Sequence, residues 1–374
     1  MDQTTARRAF ACTGETGADS LQDLRSLVRC EQQTRWTRFG FSPEWSFKLA
    51  PIAVEGENAS KYLVTFFSKE EKPQRTVFLK QYHHPQIDGA AVGNEFRGIQ
   101  IAERAFQSTE RFRVPQPYSC RPDEKILFME YCPSVSLKQA LFRPLRLSRF
   151  FISSRHRERL LEQMAESGRL LSHFQRIPIK DRPKGEAETA EGIVLRYEKQ
   201  LLRHLRICRR AGFPETLIQR IQRAVFGRLE SQSSFPPIVL QHSDFAPWNL
   251  MVGERYLYLT DFQNFTTGFS AYDAAFFYSA LDLLFRYRTV GRALLSRMQT
   301  VFLETCSKEG EAGSVQGGME REQAFPLFEV FRLMHMTYFA QSIFCSPPGP
   351  FYQSVYADSF RRFLIDWFHQ HLEN

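Results

Sequence analysis

The stretch from residue 238 to residue 262 constrains the fold of this chain more than any other. Two apolar runs, IVL before and LMV after, enclose the loop His-Ser-Asp-Phe-Ala-Pro-Trp-Asn at residues 242–249. A further run, YLYLT, leads directly into Asp261, twelve residues beyond Asn249. Runs of β-forming residues bounded by such loops are typical of short strands. The sequence therefore predicts two loops at strand ends, the first with Asp244 and Asn249 and the second with Asp261.

These three side chains match the parts that phosphoryl transfer requires. One carboxylate, here Asp244, orients the acceptor hydroxyl, while an amide and a second carboxylate hold Mg²⁺ on the phosphates. Mg²⁺ prefers oxygen ligands and keeps several waters, so Asn249 and Asp261 suffice when ATP supplies the rest. Asp also occurs in ordinary polar turns and at strand ends. The ordered spacing, rather than any single residue, indicates the chemistry.

Length and composition indicate an ordinary globular protein of two parts. The chain has 374 residues, 43% of them hydrophobic and 24% charged. This length exceeds that of one small core. Seven cysteines are dispersed without a C-x-x-C pair, which favours reduced thiols and a cytoplasmic location. Neither a run of membrane-spanning length nor the apolar segment of a secretory signal is expected.

The net charge of +8 comes from 49 Lys and Arg against 41 Asp and Glu, and it is concentrated in residues 143–160 and 196–210. Such runs are usually solvated helix faces. The alternative is contact with something anionic, such as a phosphorylated substrate, a glycolipid headgroup or a membrane surface. Peripheral membrane contact therefore stays open. Nucleic acid is not expected as a partner, because no nucleic-acid-binding motif accompanies the charge.

The pattern of apolar residues divides the chain into three regions. Residues 1–40 are polar, and we expect a partly mobile extension with a short helix near LQDLRSLVRC. Residues 41–131 combine strand-like runs with one helical segment, NEFRGIQIAERAF, for which Asn94 is the candidate N-cap. Residues 132–374 are dominated by long amphipathic helical patterns, interrupted by the strands around Asp244 and Asp261.

Four motifs in this order resemble those of the aminoglycoside-phosphotransferase and choline-kinase family of small-molecule kinases. They are FLKQY with NEFRG, ILFMEYCPSVSL, QHSDFAPWNL, and YLTDFQNFTTG with AYDAAFF, and together they span about residues 45 to 285. The resemblance implies an α+β, two-lobed protein-kinase-like fold. The N-lobe would be a small, mostly antiparallel β-sheet with one main helix that binds the nucleotide. The larger helical C-lobe would provide the catalytic and metal-binding loops.

The same resemblance implies roles in binding the nucleotide. Lys80 would hold the α- and β-phosphates of ATP and would pair with a glutamate of the following helix. Glu95 is the preferred partner, since we expect it in the first turn of that helix, and Glu103 is the alternative. The backbone of Glu130, Tyr131 and Cys132 would bind adenine at the hinge between the lobes.

Two further residues are implied by the resemblance. Gly56, the only glycine of the connector EGENAS, would allow backbone amides to cover the phosphates. This connector departs from the family, because protein kinases have three glycines there and because two acidic residues lie beside the phosphates. Asp273 in AYDAAFF would hold the metal loop by hydrogen bonds.

The expected activity is ATP- and Mg²⁺-dependent transfer of the γ-phosphate to a hydroxyl of a small molecule. The basic surplus favours a neutral or anionic acceptor, and a sugar or glycan precursor is the preferred substrate class. One alternative is a protein kinase, although only twelve residues separate Asp261 from Asp273 and no A-P-E sequence follows. The other is an inactive kinase-like scaffold, against which the intact set Lys80, Asp244, Asn249 and Asp261 argues.

Overall fold

A computed structural model describes most of the chain, in eight segments: residues 18–52, 59–85, 87–147, 153–179, 189–285, 291–310, 327–344 and 352–372. Contacts between Cα atoms divide the chain into two compact units. The first contains residues 1–96 and 115–131, and the second contains residues 97–114 and 132–374.

The helices in chain order are α1 Ala18–Thr34, α2 Gly89–Phe106, α3 Leu137–Leu147, α4 Ser154–Gln175, α5 Ala190–Arg210, α6 Glu215–Glu230, α7 Ala271–Phe285, α8 Arg292–Gly310, α9 Phe328–Phe344 and α10 Tyr352–Leu372. The strands are β1 Ser46–Pro51, β2 Ala59–Phe67, β3 Pro73–Tyr82, β4 Phe112–Arg113, β5 Pro117–Arg121, β6 Ile126–Glu130, β7 Val135–Ser136, β8 Ile238–Gln241, β9 Leu250–Val252, β10 Leu257–Leu259 and β11 Thr266–Phe269.

The first unit is built on a five-stranded sheet in the order β1-β2-β3-β6-β5, in which all neighbours pair antiparallel. Alternate residues of β2, namely Tyr62, Val64 and Phe66, are buried, as expected for a sheet with one face on a core. The β-forming runs of the sequence predict these strands, because alternation with a period of two is their defining pattern.

The segment before the sheet also contributes to the core of the first unit. Leu24 and Val28 of α1 are buried with the strand residues, and Trp36 in the short 3-10 helix Trp36–Phe39 is fully buried. The Trp36 ring contacts Phe128 at a centroid distance of 5.1 Å, and its indole N–H donates to Ser119 Oγ at 2.9 Å. A buried Trp contributes a large apolar area and satisfies its one polar atom here. The helix expected near residues 21–30 is present and longer.

Helix α2 begins earlier than the sequence suggests. It starts at Gly89, and the Asp88 carboxylate accepts a hydrogen bond from the Ala91 N–H at 2.8 Å, as an N-cap does. Asn94 lies inside the helix, so its assignment as the N-cap is wrong. The physical reason is that Asp88 is an equally good capping residue and is followed by GAAVG, a segment that continues directly into the apolar pattern.

The second unit is mainly helical and includes two small sheets, one in the order β4-β10-β9-β7 and one of β11 with β8. Helix α7 is buried over most of its length, which fits its mostly apolar sequence. Helices α4 and α8 approach closely at Gly168, where a Cβ atom would lie 2.6 Å from the backbone oxygen of Phe302. The predicted combination of an N-terminal antiparallel sheet with a helical C-terminal part is confirmed.

Within the described residues, no helix is long and apolar enough to cross a membrane.

Candidate active site

The loop that follows β8 is fixed to helix α7 by one buried carboxylate. Asp273, in the first turn of α7, accepts hydrogen bonds from the backbone N–H of His242 at 2.8 Å and of Ser243 at 2.9 Å. Ser243 has a φ of 66°, a left-handed conformation that is uncommon outside glycine. The sequence predicts that Asp273 holds the metal loop. Its carboxylate instead accepts hydrogen bonds from the backbone immediately before Asp244. Asp273 therefore holds the loop of residues 242–249, which we call the catalytic loop.

The two oxygens of the Asp244 carboxylate lie in different environments. Asn249 Nδ2 donates to Asp244 Oδ2 at 2.9 Å and also to the Asp244 backbone oxygen at 2.9 Å. Asp244 Oδ1 is buried and accepts no hydrogen bond from any residue that the structure describes. One oxygen therefore fixes the side chain, and the other can accept a hydrogen bond from a bound hydroxyl.

The pKa of Asp244 is raised to about 8, mainly by burial and secondly by the negative charge of Asp261. The hydrogen bond from Asn249 acts in the opposite direction. With this pKa the Asp244 carboxyl group is mostly protonated at pH 7, so it accepts a proton only in surroundings that favour its ionised form. A cation beside the pair would relieve the repulsion between Asp244 and Asp261, so the electrostatics of this region favour binding of a positive ion.

Asp261 follows β10 at the start of the short 3-10 turn Phe262–Asn264 and has a φ of 67°. Its loop is tied to the loop of Asp244 through Thr260, whose N–H and Oγ1 both donate to the Asn249 backbone oxygen at 3.0 Å. His242 Nε2 bonds the Thr260 backbone oxygen at 3.0 Å. Burial lowers the pKa of His242 to about 4, so the ring is neutral at pH 7 and supports the loops structurally.

The side chains of this region fit a magnesium ion. The described residues contain no group of three or more His, Cys, Asp or Glu side chains that could hold a metal on their own. Mg²⁺ does not need such a group, since it binds through one or two carboxylates together with phosphates and waters. Asn249 uses its Nδ2 on Asp244, so its Oδ1 is the atom suited to be a ligand. Asp261 would supply the carboxylate.

Lys80 and Glu95 form a buried ion pair within the first unit. Lys80 Nζ lies 3.1 Å from Glu95 Oε1, and the Tyr82 hydroxyl donates to Glu95 Oε2. Glu103, the alternative partner, instead accepts a hydrogen bond from Gln107 Nε2 at 3.0 Å on an exposed turn. The structure thus pairs Lys80 with the preferred residue. The stated reason for that preference is wrong, because Glu95 is the seventh residue of α2 and lies beyond its first turn.

Two of the expected hinge residues form backbone hydrogen bonds with other residues of the first unit. The Glu130 N–H donates to the Gln116 backbone oxygen at 2.9 Å, and the Tyr131 N–H donates to the Thr76 backbone oxygen at 3.3 Å. The Glu130 Oε2 accepts from the Gln116 N–H at 3.2 Å. These two N–H groups are therefore engaged in the sheet and are not available to adenine. The Cys132 backbone oxygen is also engaged, because it accepts a hydrogen bond from Ser134 Oγ at 2.9 Å. Gly56 lies outside the described residues.

A cavity of about 550 Å³ lies in the second unit beside the catalytic loop. Its walls include Gln241, the last residue of β8, and Ser243, the residue directly before Asp244. Aromatic side chains of α7 and α9 also line it. Three cationic residues of α5, Arg196, Lys199 and Arg203, also line it, and no acidic residue of the described chain does. The sequence analysis gave the basic run 196–210 as a possible contact for something anionic, but it did not name these three residues as members of a site.

The sequence did contain a signal for these cations. Arg196, Lys199 and Arg203 belong to the basic run at residues 196–210 and lie at spacings of three and four, which places them on one face of a helix. Their position beside the catalytic loop depends on the tertiary fold, which a single basic run cannot reveal. The other basic run, 143–160, includes residues 148–152, which lie outside the described residues, and its contact with a membrane surface stays a prediction.

Fold and loops together define the class of kinase-like phosphotransferases. A profile of the family described as "Phosphotransferase enzyme family" (APH) matches residues 52–298, about two thirds of the chain. This chain belongs to the phosphotransferase enzyme family. The predicted family and the predicted enzyme class are thereby confirmed.

Solved structures of small-molecule kinases share the fold of this chain at low sequence identity. Choline kinase from Cryptosporidium parvum Iowa II is similar with a TM-score of 0.59 and 12% identity, over 94% of this chain and 95% of that chain. Amicoumacin kinase hAmiN in complex with AMP-PNP, Ca²⁺ and Ami is similar with a TM-score of 0.56 and 12% identity, over 92% of this chain and 99% of that chain. A glucosamine kinase gives 0.55 and 14%, over 92% and 84%.

These similarities establish the predicted kinase-like fold. Sequence comparison with curated proteins finds no match to this chain.

Proposed function

We propose that this protein transfers the γ-phosphate of ATP to a hydroxyl of a small molecule in a Mg²⁺-dependent reaction. The observation that supports this most directly is the asymmetry of Asp244. One oxygen is held by Asn249, and the other is buried without a partner among the described residues. A carboxylate fixed in this way is suited to orient a hydroxyl for in-line attack, and such positioning is the main requirement of phosphoryl transfer.

In the proposed reaction the acceptor oxygen forms a bond to the γ-phosphorus while the bond from that phosphorus to the β,γ-bridging oxygen breaks. ADP leaves with the bonding electron pair, and the hydroxyl proton passes to the Asp244 carboxylate, which a cation bound beside Asp244 and Asp261 would keep ionised. Asn249 and Asp261 would hold Mg²⁺, which neutralises charge on the phosphates when bound. The neutral His242 and the anchoring Asp273 keep the loop in place.

Binding of the nucleotide is assigned to the first unit. Lys80 would contact the α- and β-phosphates, and Glu95 with Tyr82 would hold its ammonium group in position. The Glu130 carbonyl and the Cys132 N–H are the proposed adenine contacts. The backbone around Gly56 would cover the phosphates.

For the acceptor we propose a neutral or anionic small molecule, with a sugar or glycan precursor as the preferred class. The net charge of +8 opposes a polycationic substrate. Membership of the phosphotransferase enzyme family and the fold shared with choline and glucosamine kinases support a small-molecule acceptor.

A protein kinase is the weaker alternative. The interval from Asp261 to Asp273 is filled by the 3-10 turn, by β11 and by the start of α7. This leaves no stretch in which a long activation segment could be placed.

The test is transfer of radiolabel from [γ-³²P]ATP to a panel of sugars and polyols in the presence of MgCl₂, with Asp244→Asn run in parallel. We expect labelled product with the wild-type protein and a loss of about a hundredfold or more in Asp244→Asn, the range typical of removing a general base. Label transfer that is equal in the two proteins would remove Asp244 from the mechanism. Binding of ATP without transfer to any acceptor would favour the scaffold alternative.

A further inference from the structure

The cavity beside the catalytic loop has a charge that restricts what it can bind. Arg196, Lys199 and Arg203 line it from one face of α5, and none of the described residues in its lining is acidic. Lys199 and Arg203 are exposed, and neither forms an ion pair with a residue that the structure describes. Lys199 and Arg203, whose charges have no ion-pair partner in the described part of the chain, attract an anion and repel a cation.

Arg196 is held in place at the wall of this cavity. Its Nη1 donates to Thr266 Oγ1 at 3.1 Å, and its Nη2 donates to the Thr267 backbone oxygen. Both threonines belong to β11, which pairs with β8, the strand that leads into the catalytic loop. A guanidinium fixed by its surroundings loses little conformational freedom on binding, which favours recognition of phosphate or carboxylate.

Gln241 provides a second, independent observation. It is 1% exposed and lines the cavity, and its Nε2 meets no hydrogen-bond acceptor in the described part of the chain. The Tyr197 hydroxyl accepts from the Phe269 N–H and therefore donates to Gln241 Oε1, at 3.3 Å, which identifies Nε2 as the unpaired atom. A buried N–H donor without an acceptor is costly unless a ligand oxygen binds there.

Tyr338, in the wall of the cavity, is influenced electrostatically both by Arg203 of α5 and by the carboxylates of Asp244 and Asp261. Burial raises the pKa of the Tyr338 hydroxyl, the negative charges of Asp244 and Asp261 raise it further, and the positive charge of Arg203 lowers it. Tyr338 lines the cavity together with Ser243, the residue directly before Asp244.

We infer that this cavity binds the acceptor through an anionic group, so that the substrate is a hydroxyl compound that also bears a phosphate or a carboxylate. This inference rests on the proposed function, which it makes more specific. The anionic group would contact Arg196, Lys199, Arg203 and the Nε2 of Gln241, and the hydroxyl would lie at Asp244. Aromatic walls from Tyr272 and Phe276 suit the apolar face of a sugar ring.

The test measures anion binding without requiring the natural acceptor. The full-length protein is first saturated with AMP-PNP and MgCl₂, so that the triphosphate site is filled, and is then titrated calorimetrically with inorganic phosphate and, separately, with glucuronate. One double variant carries both Lys199→Gln and Arg203→Gln. The matched control is Arg206→Gln, since Arg206 is an exposed cation of α5 that does not line the cavity.

We expect the double variant to weaken binding at least tenfold, because two hydrogen-bonded charge contacts are removed, and Arg206→Gln to leave it unchanged. The probe that binds with the lower Kd shows whether the site prefers a phosphate or a carboxylate group. Equal binding in all three proteins, or no binding of either probe to the wild type, overturns the inference.

A transfer experiment separates failure of this inference from failure of the proposed function. Label transfer from [γ-³²P]ATP is compared for glucosamine, glucose, glucuronate and glucose 1-phosphate, which present a cationic, a neutral, a carboxylate and a phosphate form of one skeleton. We expect the anionic sugars to have the lower KM and Arg203→Gln to raise that KM with little change in kcat. Transfer to glucosamine in preference to the anionic sugars would keep the kinase and refute the anionic acceptor.

Discussion

At the scale of single residues, the proposed proton acceptor Asp244 lies in an environment that is unfavourable for a charged carboxylate. Its pKa of about 8 in the folded chain exceeds the ordinary value of 3.8, chiefly because of burial. Between these two pH values the folded state binds the proton more tightly than the unfolded state does. The free energy of unfolding therefore falls as the pH rises through this window, and the loss is complete above about pH 8.

Asp244→Asn should relieve this loss, because the amide carries no charge at any pH. We expect the free energy of unfolding of the variant to exceed that of the wild type by about 1–2 kcal/mol near pH 8, the size of gain common at strained active sites, with the difference shrinking towards pH 4. Urea denaturation at both pH values measures it. Asp366→Asn, on an exposed position of α10, is the control. A gain that is the same at both pH values would contradict the assigned cause.

The pairing of Lys80 with Glu95 gives a second test at this scale. Glu95→Gln leaves the hydrogen-bonding shape but removes the negative charge that positions the buried Lys80 ammonium group. We expect the kcat/KM for ATP to fall at least tenfold, because the Lys80 ammonium group would lose the charge that positions it for the phosphates. Glu103→Gln, two turns further along α2, should stay within about twofold in the same ATP-turnover assay. A larger effect of Glu103→Gln would reassign the partner.

At the scale of elements, two glycines in helices should respond in opposite ways to the same substitution. Gly168→Ala places a Cβ 2.6 Å from the Phe302 backbone oxygen, so α4 and α8 would have to separate, and we expect a loss of about 1–3 kcal/mol in stability. Gly227→Ala in α6 meets nothing within 4 Å and should add about 0.5–1 kcal/mol. Thermal or urea unfolding measures both. A stabilising Gly168→Ala would show that the two helices are less tightly packed.

The elements also show what periodicity can and cannot predict. The strands of the first unit and the helices of the second follow from alternation and from helical spacing, because those patterns record which face is buried. The start of α2 was misplaced because Asp88 and Asn94 are both good caps, and only the fold selects between them. The packing of Trp36 against Phe128 was not predictable, since it joins residues that are distant in sequence.

At the scale of the whole molecule, a Mg²⁺-dependent response to nucleotide distinguishes an enzyme of this family from a scaffold. A ligand at about 100 times its Kd stabilises the folded state by about 2.7 kcal/mol, which raises the Tm by several degrees. We expect this shift with ATP and MgCl₂ and its loss with EDTA or in the variant Asn249→Ala with Asp261→Asn. A shift that persists without Mg²⁺ would argue against the assigned ligands.

The site was predictable where one local segment contains it and unpredictable where the fold assembles it. Asp244, Asn249 and Asp261 lie within twenty residues, so their spacing alone indicated the chemistry. The cavity combines α5 with β8, α7 and α9, and the cations of α5 were indistinguishable in sequence from a solvated face. The roles of Lys80, Glu95, Glu130 and Cys132 came from a family resemblance and stay predictions.

The anchoring of the catalytic turn by Asp273 has a consequence for how the enzyme would fail on heating. Because Asp273 belongs to α7, which is buried over most of its length, the backbone next to Asp244 is held by a segment that opens only when the interior of the second unit unfolds. Local unfolding at the surface would leave the position of the Asp244 carboxylate unchanged. Inactivation should therefore coincide with cooperative melting of the helical interior, rather than precede it as it does in enzymes whose catalytic groups lie on loosely held loops.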